Sequence, residues 1–237
     1  MKLYALLILF LILNGCSDSI KEKLVEAQKY SKTNKYKEAI QIYNEILEID
    51  STNFHALGGR GLMYYNLGDY KRAIEDYNKA LISKPQAFDI YYNRGLASNE
   101  LGNNISALKD FDLVISNDSN DYLALYHRGY TKMVEHEYED AIQDFDKAIK
   151  KHPTDYFYEN RGVCKIFIKD TAGSLSDLSE AITINPQNTS ALFNRGNIYY
   201  SLTRYKEAIV DLGKVVLINP KDSNAVIWLQ KSQQKLN

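Results

Sequence analysis

Residues 60–81 read RGLMYYNLGDYKRAIEDYNKAL, and the spacing of their small and apolar members decides the fold. Gly61 and Tyr64, then Ala73, Tyr77, Ala80 and Leu81, recur at three- and four-residue steps. That period lines one stripe of a helix. Leu67-Gly68-Asp69-Tyr70 breaks it once, and a glycine there can take the positive φ that ends a helix. The stretch therefore predicts two antiparallel helices joined by a tight turn. Gly61 and Ala73 let the pair approach closely, Ala80 admits the next unit, and Tyr70 and Tyr77 fill the remaining space.

The same lettering returns along the chain. Gly61, Gly95, Gly129, Gly162 and Gly196 stand 34, 34, 33 and 34 residues apart, each after an arginine: Arg60, Arg94, Arg128, Arg161 and Arg195. Twelve residues after each glycine comes Ala73, Ala107, Ala141, Ser174 or Ala208. Pro85, Pro153, Pro186 and Pro220 close most units, with Ser119 at the same place in the third. The short step falls between Pro153 and Gly162, in a turn between units, where a deletion is tolerated. A fixed period of this length marks an array in which each unit buries its apolar face on its neighbours.

This layout resembles the tetratricopeptide repeat, with its small residue at position eight, aromatic at seventeen, alanine at twenty, aromatic at twenty-four and proline at thirty-two. The resemblance implies an all-α fold, a right-handed superhelix (α-solenoid) of about six helix-turn-helix repeats. The units fall at 20–53, 54–87, 88–121, 122–154, 155–188 and 189–222, followed by a capping helix over 223–237. The first is degenerate, with Ala27 for the glycine, although Tyr36, Ala39 and Tyr43 keep the frame. The fifth is weak, with Thr171 and Ser174 at the usual tyrosine and alanine places. Ala225, Ile227, Trp228 and Leu229 are expected to cover the exposed end of the stack.

Each of the five arginines has an aspartate sixteen residues later: Asp76, Asp110, Asp144, Asp177 and Asp211. The first unit has Glu26 and Ile42 there, so both partners are absent together. Joint presence and joint absence predict an ion pair between the two helices of a unit, which fixes geometry more than it adds net stability. Arginines lining a groove for acidic ligands are the alternative, but cations held for a ligand would not each be matched by an anion.

The first residues read as an address. Lys2 precedes an unbroken apolar run from Leu3 to Leu13, shorter than the roughly 20 residues a membrane span needs. A positive start and short apolar core suit a secretory signal over 1–15. Leu13-Asn14-Gly15-Cys16 resembles the bacterial lipobox, with Asn14 where Ala, Ser, Thr or Val is usual. The resemblance implies lipidation of Cys16, a short tether over 16–19, and a lipid anchor in the bacterial cell envelope. Ser17 after the cysteine points to the outer membrane. An ordinary signal cut near a cysteine is the alternative.

In the tetratricopeptide family, positions two, five, six, nine, twelve and thirteen face the concave surface. Position six carries Asn93, His127, Asn160 and Asn194, with Gly59 in the second unit. An amide both donates to and accepts from a peptide unit, so stacked asparagines suit an extended peptide. The row resembles the asparagine ladder of the repeats in the enzyme that adds N-acetylglucosamine to serine and threonine. Tyr92, Tyr126, Phe193 and Asn197 would add contact area. Position five has no lysine, which argues against a clamp for acidic C-terminal tails.

Other classes find little support. With 29 Lys+Arg against 30 Asp+Glu there is no cationic surplus for nucleic acid. His55 lies in the second unit and His127, His136 and His152 in the fourth, with no pair at the i, i+4 spacing of a metal site. Cys164 falls at a packed position and reads as an inert core thiol. No cofactor, metal or catalytic residue is expected, and the chain does not read as an enzyme. The expected partner is a protein or extended peptide. A cell-wall polysaccharide or glycan stacked on Tyr92, Tyr126 and Phe193 is the alternative, and self-association through the terminal helix a third reading; the sequence leaves the oligomeric state open.

Overall fold

The computed structural model describes residues 19–236, which are helices and short turns with no strand. The signal and the lipidation cysteine expected from the sequence lie outside these residues. The helices are α1 (19–32), α2 (Tyr36–Ile49), α3 (Phe54–Asn66), α4 (Tyr70–Ser83), α5 (Phe88–Glu100), α6 (Asn104–Asn117), α7 (Tyr122–Val134), α8 (Tyr138–Lys151), α9 (Asp155–Phe167), α10 (Thr171–Ile184), α11 (Thr189–Ser201), α12 (Tyr205–Ile218) and α13 (Ser223–Leu236). They form two compact units, one ending at Asn117 and the other beginning at Asp118.

In the first unit, α3 packs on α2 and α4, and α5 on α4 and α6. Ala27, Ala39, Tyr43, Ile46, Ala56 and Met63 make one core cluster, and Leu57, Ala73, Tyr77, Ala80, Leu81 and Ile90 another. The close approach read from Gly61 is real. A Cβ added there would lie 2.7 Å from the Tyr77 ring, which is itself fully buried. Tyr70 lies half-buried beside the turn, edge-on to Tyr65 at 5.4 Å.

In the second unit α7 pairs with α8, α9 with α10, and α11 with α12. Leu178, Ala181, Ala191, Leu192, Val215 and Ala225 form its core cluster toward the C-terminus. The last helix, α13, packs on α12. Ala225 and Ser232 are fully buried, and Trp228 stands edge-on to Tyr200 at 5.1 Å. Ile227 does not join the cover as expected: it is 46% exposed. Two residues beyond Ala225 is about 200° around a helix of 3.6 residues per turn, on the opposite side.

The turn inside each repeat needs a left-handed residue. Gly68 has φ 77°, as the sequence predicts, and Gly102 has 71°. Asn34, His136, Lys169 and Thr203 have φ between 57° and 65°. Side-chain caps then start several helices: Asn53 accepts from the Ala56 N–H, Asp69 from Arg72 and Asp121 from Ala124.

All five predicted ion pairs form, each as a two-bond fork. Arg60 Nε and Nη2 meet Asp76 at 2.7 Å each, and Arg195 meets Asp211 at 2.7 and 2.8 Å. Arg94–Asp110, Arg128–Asp144 and Arg161–Asp177 repeat the geometry. In four of these pairs the arginine's Nη1 adds a bond to the preceding repeat. Arg60 donates to Asn44 and Arg94 to Asn78, both at 2.6 Å. Arg161 donates to Asp146 at 2.6 Å, and Arg195 to Ser179 Oγ at 3.0 Å. These acceptors lie sixteen residues before the arginine, except Asp146, which lies fifteen before because of the short step.

Candidate functional site

The second unit brings most of the predicted site residues onto α7, α9 and α11. Tyr126 of α7 stacks on Phe157 of α9, with centroids 4.6 Å apart, and meets Tyr156 edge-on at 5.2 Å. Asn160, one helical turn after Tyr156, donates from Nδ2 to the Tyr126 hydroxyl at 3.3 Å and to the Tyr156 carbonyl at 2.8 Å. Its amide hydrogens are thus directed inward, leaving Oδ1 as an acceptor for a ligand. Burial pushes the Tyr126 hydroxyl up to about 12, with Tyr130, Tyr156 and the Glu159 charge adding to the shift. Tyr126 therefore stays neutral at physiological pH and acts only by hydrogen bonding and ring contact.

His127 occupies the position-six place on α7, its ring 4.9 Å from Tyr126. Burial drops the imidazole to about 4 against a small opposing effect of Asp121, so it is an uncharged ring rather than a cation. Phe193 is half-buried against the cluster containing Leu178 and Leu192, which makes it as much a core residue as a contact surface. Asn194 is half-buried on the same helix. The Asn197 Oδ1 is buried with no hydrogen-bond partner among the described residues.

The first unit holds the remaining two. Tyr92 on α5 stands 6.1 Å from Phe111, and Asn93 beside it is half-buried. The gap in the asparagine row at Gly59 has a steric cause. A Cβ there would collide with the ring of Tyr43, which comes from the degenerate first repeat and occupies the space an asparagine would need.

One residue of this face escaped the sequence reading. Glu159, also on α9, is half-buried. Asn188 Nδ2 donates to its Oε2 at 2.9 Å and to Asp155 Oδ2 at 3.1 Å. Burial raises the Glu159 carboxyl and the Asp155 charge raises it further, while hydrogen bonds from Asn188 and Ser190 pull it back. The available signal was at position five, where Leu24, Gly58, Tyr92, Tyr126, Glu159 and Phe193 include a single acid.

Chemistry elsewhere is sparse. Cys164 is a buried free thiol that burial pushes up to about 12, so it is not poised as a nucleophile. Among the described residues no group of three or more His, Cys, Asp or Glu could hold a metal ion.

Family models match three stretches: a TPR repeat over residues 61–102, and a tetratricopeptide repeat over 27–53 and again over 189–222. The chain carries tetratricopeptide repeats. Curated relatives match over short TPR segments. Human Tetratricopeptide repeat protein 6 is 33% identical over 66 residues, 28% of this chain and 13% of that protein. Mouse Sperm-associated antigen 1 is 29% identical over 79 residues, 33% of this chain and 9% of that protein. The chain thus matches a small part of these relatives' length.

Solved TPR structures align far more of it. Pseudomonas aeruginosa pilF gives a TM-score of 0.76 at 14% identity, covering 93% of this chain and 99% of that one. A chain of the APC/C hetero-tetramer Cut9–Hcn1 gives 0.73 at 19% identity, covering 94% and 45%. YrrB, described as a TPR protein with an unusual peptide-binding site, gives 0.66 at 25% identity, covering 75% and 95%. The fold is an all-α TPR solenoid.

Proposed function

We propose that the protein is a non-catalytic interaction scaffold that holds an extended segment of a partner protein along the first helices of its TPR repeats. The observation that carries this reading is the surface built by Tyr126, Tyr156 and Asn160, where an amide is fixed beside two rings by hydrogen bonds of 3.3 and 2.8 Å. Rigid aromatic area with a positioned hydrogen-bonding group is what a peptide-binding face needs. The likeness to YrrB, a TPR protein with a peptide-binding site, supports the same class of ligand.

Selection of random peptides on the immobilised protein tests it. Peptides should be enriched, and combining Asn160→Ala with Asn194→Ala should weaken the best of them about tenfold, as loss of two hydrogen bonds would. Unchanged affinity in that variant would move the site elsewhere. Displacement by peptidoglycan fragments, with no peptide enriched, would favour the glycan reading instead.

Leu13-Asn14-Gly15-Cys16 supports a lipid anchor that would place this scaffold in the bacterial cell envelope, at the outer membrane. Intact mass and detergent partition, compared with Cys16→Ala, decide it. A lipid-sized mass lost in the variant supports the anchor, and an unmodified product from a lipoprotein-processing host removes it.

A further inference from the structure

The cations of α7, α9 and α11 are all directed away from the candidate binding face. Arg128 and Lys132 of α7 both bind Asp144. Arg161 and Lys165 of α9 both bind Asp177. Arg195 of α11 binds Asp211. Those five are the only Lys and Arg residues on the three helices. The only acids on these helices, Asp155 and Glu159, instead receive hydrogen bonds from neutral amides and a hydroxyl. A half-buried carboxylate whose partners are neutral and whose charged neighbour is another carboxylate lacks the counter-charge that usually accompanies burial.

What surrounds Glu159 suits a cation. Tyr156 lies one turn earlier on α9 and is 39% exposed. The Glu159 charge bears on the Tyr126 hydroxyl, as does Tyr130, a residue that is 41% exposed. Tyrosine rings attract an ammonium or guanidinium over their faces. The other concave positions of these helices carry apolar, aromatic, amide or hydroxyl side chains and the neutral His127 ring, and none of them adds a charge. The concave positions therefore offer one charge, that of Glu159, in a field of neutral groups, and the only charge beside it is Asp155 at the start of α9, also negative.

We propose that Glu159 receives a lysine or arginine side chain of an otherwise apolar extended peptide, with Tyr126, Tyr130 and Tyr156 around the cation. This rests on the peptide-binding reading above and adds the ligand's charge and its register. The basic side chain docks at α9, and the apolar residues flanking it run over α7 and α11. A peptide presenting an acid at that register is repelled by Glu159 and Asp155 together.

The test uses the full chain and one lysine-containing peptide from the selection, together with the same peptide carrying norleucine in place of lysine. Norleucine keeps the aliphatic stem and removes only the charge. The wild type should bind the lysine peptide about tenfold more tightly, and Glu159→Gln should bind both equally and no more tightly than the wild type binds norleucine. Glutamine is isosteric and can still accept the Asn188 bond, and an unchanged melting temperature confirms that the variant is folded. Because the ligand-side change leaves the protein intact, the comparison does not depend on that variant alone. Equal wild-type affinity for the two peptides would overturn the proposal while leaving peptide binding standing. Failure to enrich any peptide would remove both. Loss of binding on acetylating the peptide's amino terminus, with norleucine tolerated, would overturn it by assigning Glu159 to a terminal ammonium.

Discussion

Asp76 of the second repeat and Asp144 of the fourth occupy the same place in their helical pairs and are equally buried, at 3% and 2% exposure. Each accepts a fork from its arginine, Arg60 or Arg128. Their second neighbours differ. Lys132 Nζ stands 2.8 Å from Asp144 Oδ2, whereas the equivalent residue of the second repeat is Tyr64, whose ring centroid lies 5.9 Å from the Arg60 guanidinium. One repeat neutralises its buried carboxylate twice and the other once. The motif is the same, and its tolerance to damage is not.

The largest expected effect follows from that contrast. Removing one partner of a buried pair costs about 3–5 kcal/mol because the other charge is left uncompensated. Arg60→Ala should fall in that range by urea unfolding. Arg128→Ala should cost about half as much, since Lys132 still faces Asp144, and adding Lys132→Ala should restore the full penalty. Equal losses in the two single variants would mean that the lysine contributes no compensation.

The ion pairs and the fold were legible in the sequence because both depend on constant letters at constant spacing: glycine, alanine, arginine and aspartate recurring in register. The arginines' third bond was not, since its acceptor is Asn44, Asn78, Asp146 or Ser179, and no single letter marks it. Nor were the left-handed turns at Asn34, His136, Lys169 and Thr203: asparagine and histidine enter that region more readily than most residues and lysine and threonine do not, so no common letter marks the place. At the candidate site, helical register placed Tyr126, Asn160, Phe193 and Asn194, but not what their side chains touch. The Asn160 amide turns to a tyrosine 34 residues away. Glu159 is embedded by Asn188, 29 residues later. Contacts between repeats with changing letters leave no periodic trace.

A second contrast concerns how tightly the helices of a repeat close. At Gly61 an added Cβ would sit 2.7 and 2.9 Å from Cε1 and Cδ1 of Tyr77, a buried ring with nowhere to retreat. At Gly162 the nearest atoms are Leu178 Cγ at 3.2 Å and Asp177 Cβ at 3.3 Å, so a shift of a few tenths of an ångström suffices. Alanine gains about 1 kcal/mol over glycine inside a helix, while overpacking costs roughly 1–3 kcal/mol. Gly61→Ala should therefore lose about 2 kcal/mol, and Gly162→Ala should lie close to wild type. Thermal unfolding by circular dichroism distinguishes them, and equal shifts would show that the aromatic partner is not what makes the second repeat intolerant.

The smallest effect concerns the ring that fills that space. Tyr77, Phe111 and Phe145 hold the same position in the second, third and fourth repeats, all fully buried. Only Tyr77 brings a hydroxyl into the core, and that oxygen has no hydrogen-bond partner among the described residues. Burial raises the hydroxyl's pKa, and neighbouring Tyr65 and Asp76 raise it further, so it is a neutral phenol at physiological pH. A buried hydroxyl without a partner costs about 1–3 kcal/mol in lost hydration, partly offset by the packing contacts of the extra atom. Tyr77→Phe should accordingly raise stability by about 1 kcal/mol, with the same slope of unfolding free energy against urea, since the buried surface hardly changes. The phenylalanines of the next two repeats indicate that the helices close over a ring without the oxygen. A loss of stability on removing it would mean that an ordered water satisfies the hydroxyl, and that the second repeat, unlike its neighbours, is built around a wet core.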